Sequence, residues 1–189
     1  MNIMEQNALK KDMWNAAGVA GLALGAVSTI YLFAGQWLSG NLAPAALWQQ
    51  IVAIVLWAVK LTACIWLMKF FMTKFAAANE SIDKKTVFRM GMMTALLSAV
   101  MYSAIYLANM LYISADFYEM TFQTMTQQLA PAMDSNSQAM LEKLIGNMPQ
   151  LMFFYNLTYC FLFGTVLSAI LSKSIPAKDF TDNKPYEQE

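Results

Sequence analysis

Histidine is absent from this chain, and cysteine and charged residues are scarce. The lack of histidine removes the commonest general base and the usual metal ligand. Cys64 and Cys160 both lie inside apolar runs, so we interpret them as small buried hydrophobes rather than a disulfide framework. Lys+Arg and Asp+Glu balance at 12 each, which leaves no basic field for nucleic acid. We therefore expect no nucleic-acid partner, no catalytic residue, no metal and no cofactor.

Charged residues make up 13% of the chain and hydrophobic ones 58%, against about 25% and about 45–50% in soluble domains. The apolar residues form four segments at about 14–37, 48–71, 86–112 and 151–171. Each is long enough for the roughly 20 residues that cross a bilayer as a helix, which pairs its backbone groups internally. The sequence thus predicts an all-α integral membrane four-helix bundle in the lipid bilayer. This single domain covers 1–175, and a polar cytoplasmic tail follows at 176–189.

Basic residues are distributed unevenly between the connections. Ten of the twelve lie before the first segment, around the connection between the second and third, or after the fourth. The 113–150 segment has only Lys143. Because positive charge marks the cytoplasmic side, we expect a multi-pass inner-membrane protein with both termini in the cytoplasm.

The 113–150 segment is too long for a plain connection. Apolar residues recur there at helical spacing, and Pro131 separates two such stretches. Ser135 with Gln138 forms a capping-box pattern at the start of the second stretch. The segment predicts two short amphipathic helices on the outer side. These helices either rest on the membrane surface, or they form a lid or a docking surface. The residues do not distinguish between these two alternatives.

Lys60 is the ionisable residue nearest the middle of a predicted span. Such a position costs about 2.5–3.5 kcal/mol on insertion scales and marks a candidate functional site. No Asp or Glu occurs in the four predicted spans to pair with it. Tyr102, Tyr159 and Asn156 share the outer halves of the neighbouring spans and complete a candidate polar site. Three explanations stay open: Lys60 snorkels, meets a partner carboxylate or lipid phosphate, or binds an anionic ligand in a cavity.

Helix 1 carries Gly18, Gly21 and Gly25 among other small residues. Small residues let membrane helices approach closely, so we interpret this face as an interface. It serves either packing within the bundle or association with a second copy or another membrane protein. The pattern alone leaves both alternatives open.

Three short motifs follow the Lys-flanked, Gly-rich first helix along the chain. These are Ser81-Ile82-Asp83-Lys84-Lys85, Phe88-Arg89-Met90-Gly91 and Asp116-Phe117-Tyr118-Glu119-Met120. In this order the features resemble a family of small bacterial four-helix membrane proteins catalogued as a domain of unknown function (number 4199). The resemblance covers about residues 10–175. It implies an inner-membrane protein and offers no catalytic residue to carry over.

From these features we expect a non-enzymatic membrane subunit, anchor or regulator of an envelope or lipid-linked assembly. The alternative is a small transporter or flippase-like protein in which Lys60 contacts an anionic group of the ligand.

Overall fold

The computed structural model describes residues 3–41, 47–79, 82–129, 131 and 133–176. The predicted tail at 176–189 therefore lies outside the described residues, apart from Pro176. Six α-helices occupy these ranges: α1 Ile3–Asn41, α2 Leu47–Ala78, α3 Lys84–Ala108, α4 Ala115–Leu129, α5 Ser135–Gly146 and α6 Met148–Ser174.

Four of these helices are long and apolar enough to cross a membrane. The qualifying stretches are Asn7–Ser39, Gln50–Ala78, Lys84–Ile113 and Met148–Ser174. They overlap all four predicted spans, so the prediction of an all-α protein with four candidate membrane-spanning helices is confirmed. Many of their large apolar side chains are exposed, as expected for surfaces that face lipid.

The four long helices pack unequally. α3 is the central helix and packs extensively against both α1 and α6, whereas α2 packs mainly against α1 and touches α6 at few points. Glycine permits the approach of α1 to α3: a Cβ added at Gly21 would lie 2.8 Å from Leu97 Cβ, and one added at Gly25 would lie 2.7 Å from Met101 Sδ. These two glycines therefore serve packing within the chain. Gly18 has nothing within 4 Å of the same position.

A hydrophobic core joins all four long helices near the connection between α2 and α3. It brings Met72 and Phe75 of α2 together with Val87 and Met90 of α3 and Leu171 of α6, and Ala20 and Leu24 extend it to α1. Met72 and Met90 are almost completely buried. Unbranched methionine side chains fill irregular gaps between helices, so this end of the bundle is closed.

α3 does not run straight to residue 112 as the predicted span implied. After Ala108 the chain continues as a π-helical turn, Asn109–Ile113, and the Ser114 N–H donates to the Asn109 carbonyl at 2.8 Å. The fully buried Asn109 side chain accepts from Ser114 Oγ at 3.1 Å and donates to Tyr118 Oη at 3.2 Å. Gln36 of α1 donates to the same Tyr118 oxygen at 3.0 Å. This network holds the start of α4 against α1 and α3.

The expected capping box at Ser135 and Gln138 is wrong, because the helix begins one residue earlier and Ser137 occupies the third helical position. Asp134 is the N-cap of α5, and its carboxylate accepts from the Ser137 N–H at 3.0 Å. A carboxylate is a strong acceptor and interacts favourably with the positive end of the helix dipole, which explains why it takes the capping position. α4 and α5 contain no buried residue among those described.

Candidate functional site

A cavity of about 120 Å³ lies between the four long helices, and we call it the Lys60 cavity. Of the described residues that line it, Lys60 alone has a basic side chain, and none has an acidic one. Its uncharged polar lining comes from the hydroxyl groups of Ser28, Ser98, Tyr102 and Tyr159. The remaining walls consist of aliphatic, aromatic, glycine and sulfur-containing residues. The cavity therefore presents one cation and several hydroxyl groups in an apolar enclosure.

The ammonium of Lys60 lies between two tyrosine rings. Its Nζ is 4.7 Å from the centroid of the Tyr31 ring and 5.1 Å from that of Tyr102. Cation–π attraction of this kind is worth about 2 kcal/mol when the cation is desolvated. The rings hold the ammonium in place, but they do not neutralise its charge. Lys60 is thus preorganised to meet an anion.

Cys64 of α2 and Cys160 of α6 line the same cavity, and both are free thiols. Ser28 lines the cavity beside them, and both thiols lie within electrostatic range of Lys60. Both residues are half-buried rather than fully buried as predicted, because they border the cavity; the prediction that they form no disulfide agrees with their free thiols. Their meeting at one cavity was not predicted, because 96 positions separate them in the chain.

The structure brings three of the four predicted polar-site residues together. Lys60, Tyr102 and Tyr159 all line the cavity, whereas Asn156 is not among its lining residues. Asn156 belongs to α6 and is half-buried there. The position of Asn156 along its predicted span gave it a depth in the membrane compatible with the site. Depth alone does not specify which way a side chain points around the helix.

A series of aromatic rings leads away from Lys60. Tyr102 lies 6.1 Å from Tyr106, Tyr106 lies 6.1 Å from Tyr118, and Tyr118 lies 6.5 Å from Phe122, all measured between ring centroids. The π-helical turn allows α4 to fold back so that Tyr118 continues the series begun on α3. The Lys60 cavity is therefore in continuous aromatic contact with α4.

A second cavity, the α4–α5 groove, is larger and more open, with a volume of about 550 Å³. Tyr118 and Phe122 line it, together with the carboxylates of Glu119 and Glu142. Two carboxylates and no described cation make this groove unfavourable for an anion. The two cavities therefore have opposite electrostatic character, and only the first suits a negatively charged group.

Within the described ranges, no group of three or more His, Cys, Asp or Glu side chains is arranged to hold a metal ion. The chemistry available in the Lys60 cavity is that of charge pairing and hydroxyl hydrogen bonding.

The profile of a protein family of unknown function (DUF4199) matches residues 16–173. The chain belongs to this family. The match covers α2, α3, α4 and α5 in full, most of α1 and α6, and every residue that lines the Lys60 cavity. It confirms the resemblance drawn from the sequence motifs.

No curated protein and no solved structure is significantly similar to the chain. Because the family is one of unknown function, the geometry of the Lys60 cavity is the observation that bears on function. Sequence reasoning did not foresee the part played by Tyr31, whose ring contacts Lys60. No local pattern in the sequence distinguishes Tyr31 from the other aromatic residues of the spans.

Proposed function

We propose that this protein is a non-enzymatic membrane protein that binds an anionic group at Lys60. In this role it serves as a subunit or regulator of an envelope or lipid-linked assembly. The observation that carries the proposal is a preorganised ammonium in an apolar cavity whose described lining contains no acidic side chain.

The energetic argument concerns the position of Lys60 in α2. The residue lies about 15 Å along the helix from Gln50, where its candidate span begins. A charge at this depth is unfavourable by a few kcal/mol unless it is paired. An anion beside Nζ would offset that cost, and the hydroxyl groups of Tyr102 and Ser98 would provide hydrogen bonds to it.

The placement in the membrane is supported by the distribution of charge. The described basic residues concentrate at the end of the bundle where α2 is joined to α3, and the segment holding α4 and α5 has only Lys143. We therefore propose a bacterial inner-membrane protein with both termini in the cytoplasm. In this orientation α4 and α5 lie at the outer surface, with their apolar side chains toward the bundle and the lipid.

The test is a binding measurement on Lys60→Met and its matched control Lys69→Met. Lys69 is an exposed lysine on the same helix and does not line the cavity. We expect the purified wild-type protein in mild detergent to retain phosphatidylglycerol, as measured by native mass spectrometry. Equilibrium dialysis then shows whether the protein also binds inorganic phosphate or binds lipid alone. Lys60→Met should lower affinity by about tenfold or more, because a desolvated charge pair is lost, and Lys69→Met should not. Equal binding by all three proteins would refute the proposal.

The role as a subunit requires a separate experiment. A C-terminally tagged protein would be purified from native membranes, as wild type and as Lys60→Leu, and its co-purifying proteins identified by mass spectrometry. A stoichiometric partner that depends on Lys60 supports the role as a subunit. A homo-oligomer that carries lipid and no other protein would contradict it and favour transport.

A second candidate function is transport or lipid flipping. The observation that favours it is the location of the Lys60 cavity between the spans rather than at a surface, as in transporters that bind near the membrane midplane. This function requires movement of the anionic ligand across liposomes that contain the protein. Flux abolished by Lys60→Met would support it, and binding without flux would exclude it.

A further inference from the structure

The packing around the Lys60 cavity is closed on three sides. α1 packs against α2 and α3, and α3 packs against α6, but α2 and α6 make few contacts with each other. The contacts they share include the hydrophobic core, where Met68 and Met72 of α2 join Leu171 of α6. From that closed end the two helices leave a gap beside the cavity, which we call the α2–α6 gap.

The residues at the edge of this gap both line the cavity and reach the surface of the protein. Trp57 on α2 is 54% exposed, and Tyr159 and Phe163 on α6 are 56% and 42% exposed. Side chains that line a cavity and are also half exposed mark its mouth. The mouth lies within the candidate spans Gln50–Ala78 and Met148–Ser174, so it opens toward the bilayer rather than toward water.

The α6 side of the gap is a continuous aromatic strip. Tyr155 stacks on Tyr159 with ring centroids 6.0 Å apart and planes inclined by 11°, and Tyr159 stacks on Phe163 at 6.3 Å and 15°. The three rings form a row along α6, one helical turn apart, against which an acyl chain lying along the membrane normal can pack. Tyr155, at the N-terminal end of this strip, is 63% exposed.

We propose that the α2–α6 gap is a lateral opening through which a membrane lipid places its acidic head group beside Lys60. This inference rests on the proposed function and specifies the source of the anion. The head group occupies the cavity of about 120 Å³, which has room for a phosphate or carboxylate group but not for acyl chains. The chains therefore remain in the gap, against Trp57 and the aromatic strip.

The inference is tested with the full-length protein in nanodiscs that contain phosphatidylglycerol bearing a photoactivatable diazirine in its acyl chain. After irradiation, the modified peptides are mapped by mass spectrometry. We expect modification concentrated in residues 57–64 and 155–163. Modification spread evenly over the lipid-facing surface of α2, including Trp66, would overturn the inference.

Matched variants separate the gap from the general lipid surface. Trp57→Phe preserves an aromatic ring at the mouth, whereas Trp57→Ala widens the mouth and removes the chain contact. Trp66→Ala removes an equally large exposed residue, 64% exposed, that does not line the cavity. We expect Trp57→Ala to reduce labelling of 155–163 several-fold, and Trp57→Phe and Trp66→Ala to leave it near the wild-type level. Equal reduction by both alanine variants would contradict the opening.

A competition experiment tests where the anion comes from, independently of whether the site exists. An excess of inorganic phosphate should not displace the photoactivatable lipid if the anion comes from the bilayer. If phosphate displaces it and Lys60→Met abolishes the binding of both, the proposed function stands and the lateral source is wrong. If Lys60→Met leaves the gap labelling unchanged, the lipid does not reach Lys60 and the inference fails.

Discussion

Replacement of Gly91 by alanine is expected to destabilise the bundle at the contact between α3 and α6. Gly91 is buried, and a Cβ added there would collide with the hydroxyl of Ser168, lie 2.9 Å from Ser168 Cβ and 3.0 Å from Met72 Sδ. The Ser168 hydroxyl donates to the Phe88 carbonyl at 2.9 Å, so it cannot move aside without losing that bond. The added methyl group thus enters a fully occupied space.

The magnitude follows from opposing contributions. Overpacking of this kind costs about 1–3 kcal/mol, and a hydrogen bond within a membrane protein is worth about 0.6 kcal/mol. Alanine gains about 0.5–1 kcal/mol over glycine in a helix. We therefore expect Gly91→Ala to lower the free energy of unfolding by about 1–2 kcal/mol.

The matched control is Gly18→Ala, because nothing lies within 4 Å of a Cβ added at Gly18. This variant keeps the gain in helix propensity without a collision, so it should be neutral or slightly more stable than wild type. Unfolding of the purified proteins in mixed micelles of mild detergent and sodium dodecyl sulfate, followed by circular dichroism, measures both. The two substitutions are chemically identical, so a difference between them reports the environment alone.

A double variant tests the cause. Ser168→Gly removes both the Cβ and the hydroxyl that the new methyl group meets, so Gly91→Ala should cost much less in that background. If Gly91→Ala were as stable as Gly18→Ala, or if its effect were unchanged beside Ser168→Gly, the proposed collision would be refuted.

Three further predictions concern α4, α5 and the orientation of the chain. Tyr118→Phe removes the oxygen that accepts from Gln36 and Asn109, so amide exchange of 115–129 should quicken while α3 keeps its protection; unchanged exchange would show that the network does not hold α4. The pKa of Asp134 lies below its ordinary value of 3.8 because the Ser137 side chain and backbone N–H donate to it. The contribution of the Asp134 cap to the stability of α5 is therefore fully present above the ordinary pKa. It is lost as the pH falls through the lower pKa of the folded state. Exchange of 135–146, corrected for its intrinsic pH dependence, should rise below pH about 4 in wild type and stay insensitive to this titration in Asp134→Asn. Reporter fusions at either terminus should read as cytoplasmic and a reporter inserted after Pro131 as periplasmic; a cytoplasmic signal at Pro131 would reverse the proposed topology.

The number and approximate position of the candidate spans could be predicted from the sequence because both depend on local chemistry. An apolar run of sufficient length becomes a helix in lipid whatever its neighbours are. For the same reason Lys60 was recognisable as a candidate site: a charge within such a run is unfavourable before any contact is known. Helical rise also placed Tyr102 and Tyr159 at comparable depth.

The tertiary structure decided what depth and composition could not specify, namely how each helix is rotated and which helices touch. Rotation placed Tyr31 beside Lys60 and kept Asn156 out of the cavity lining. Close packing directed Gly21 toward α3 while Gly18 contacts nothing at the same distance. The α2–α6 gap and the meeting of Cys64 with Cys160 depend on helix pairing over long separations in the chain. Such pairing arises from the fit of side chains at the interfaces of all four helices together, which no local pattern encodes.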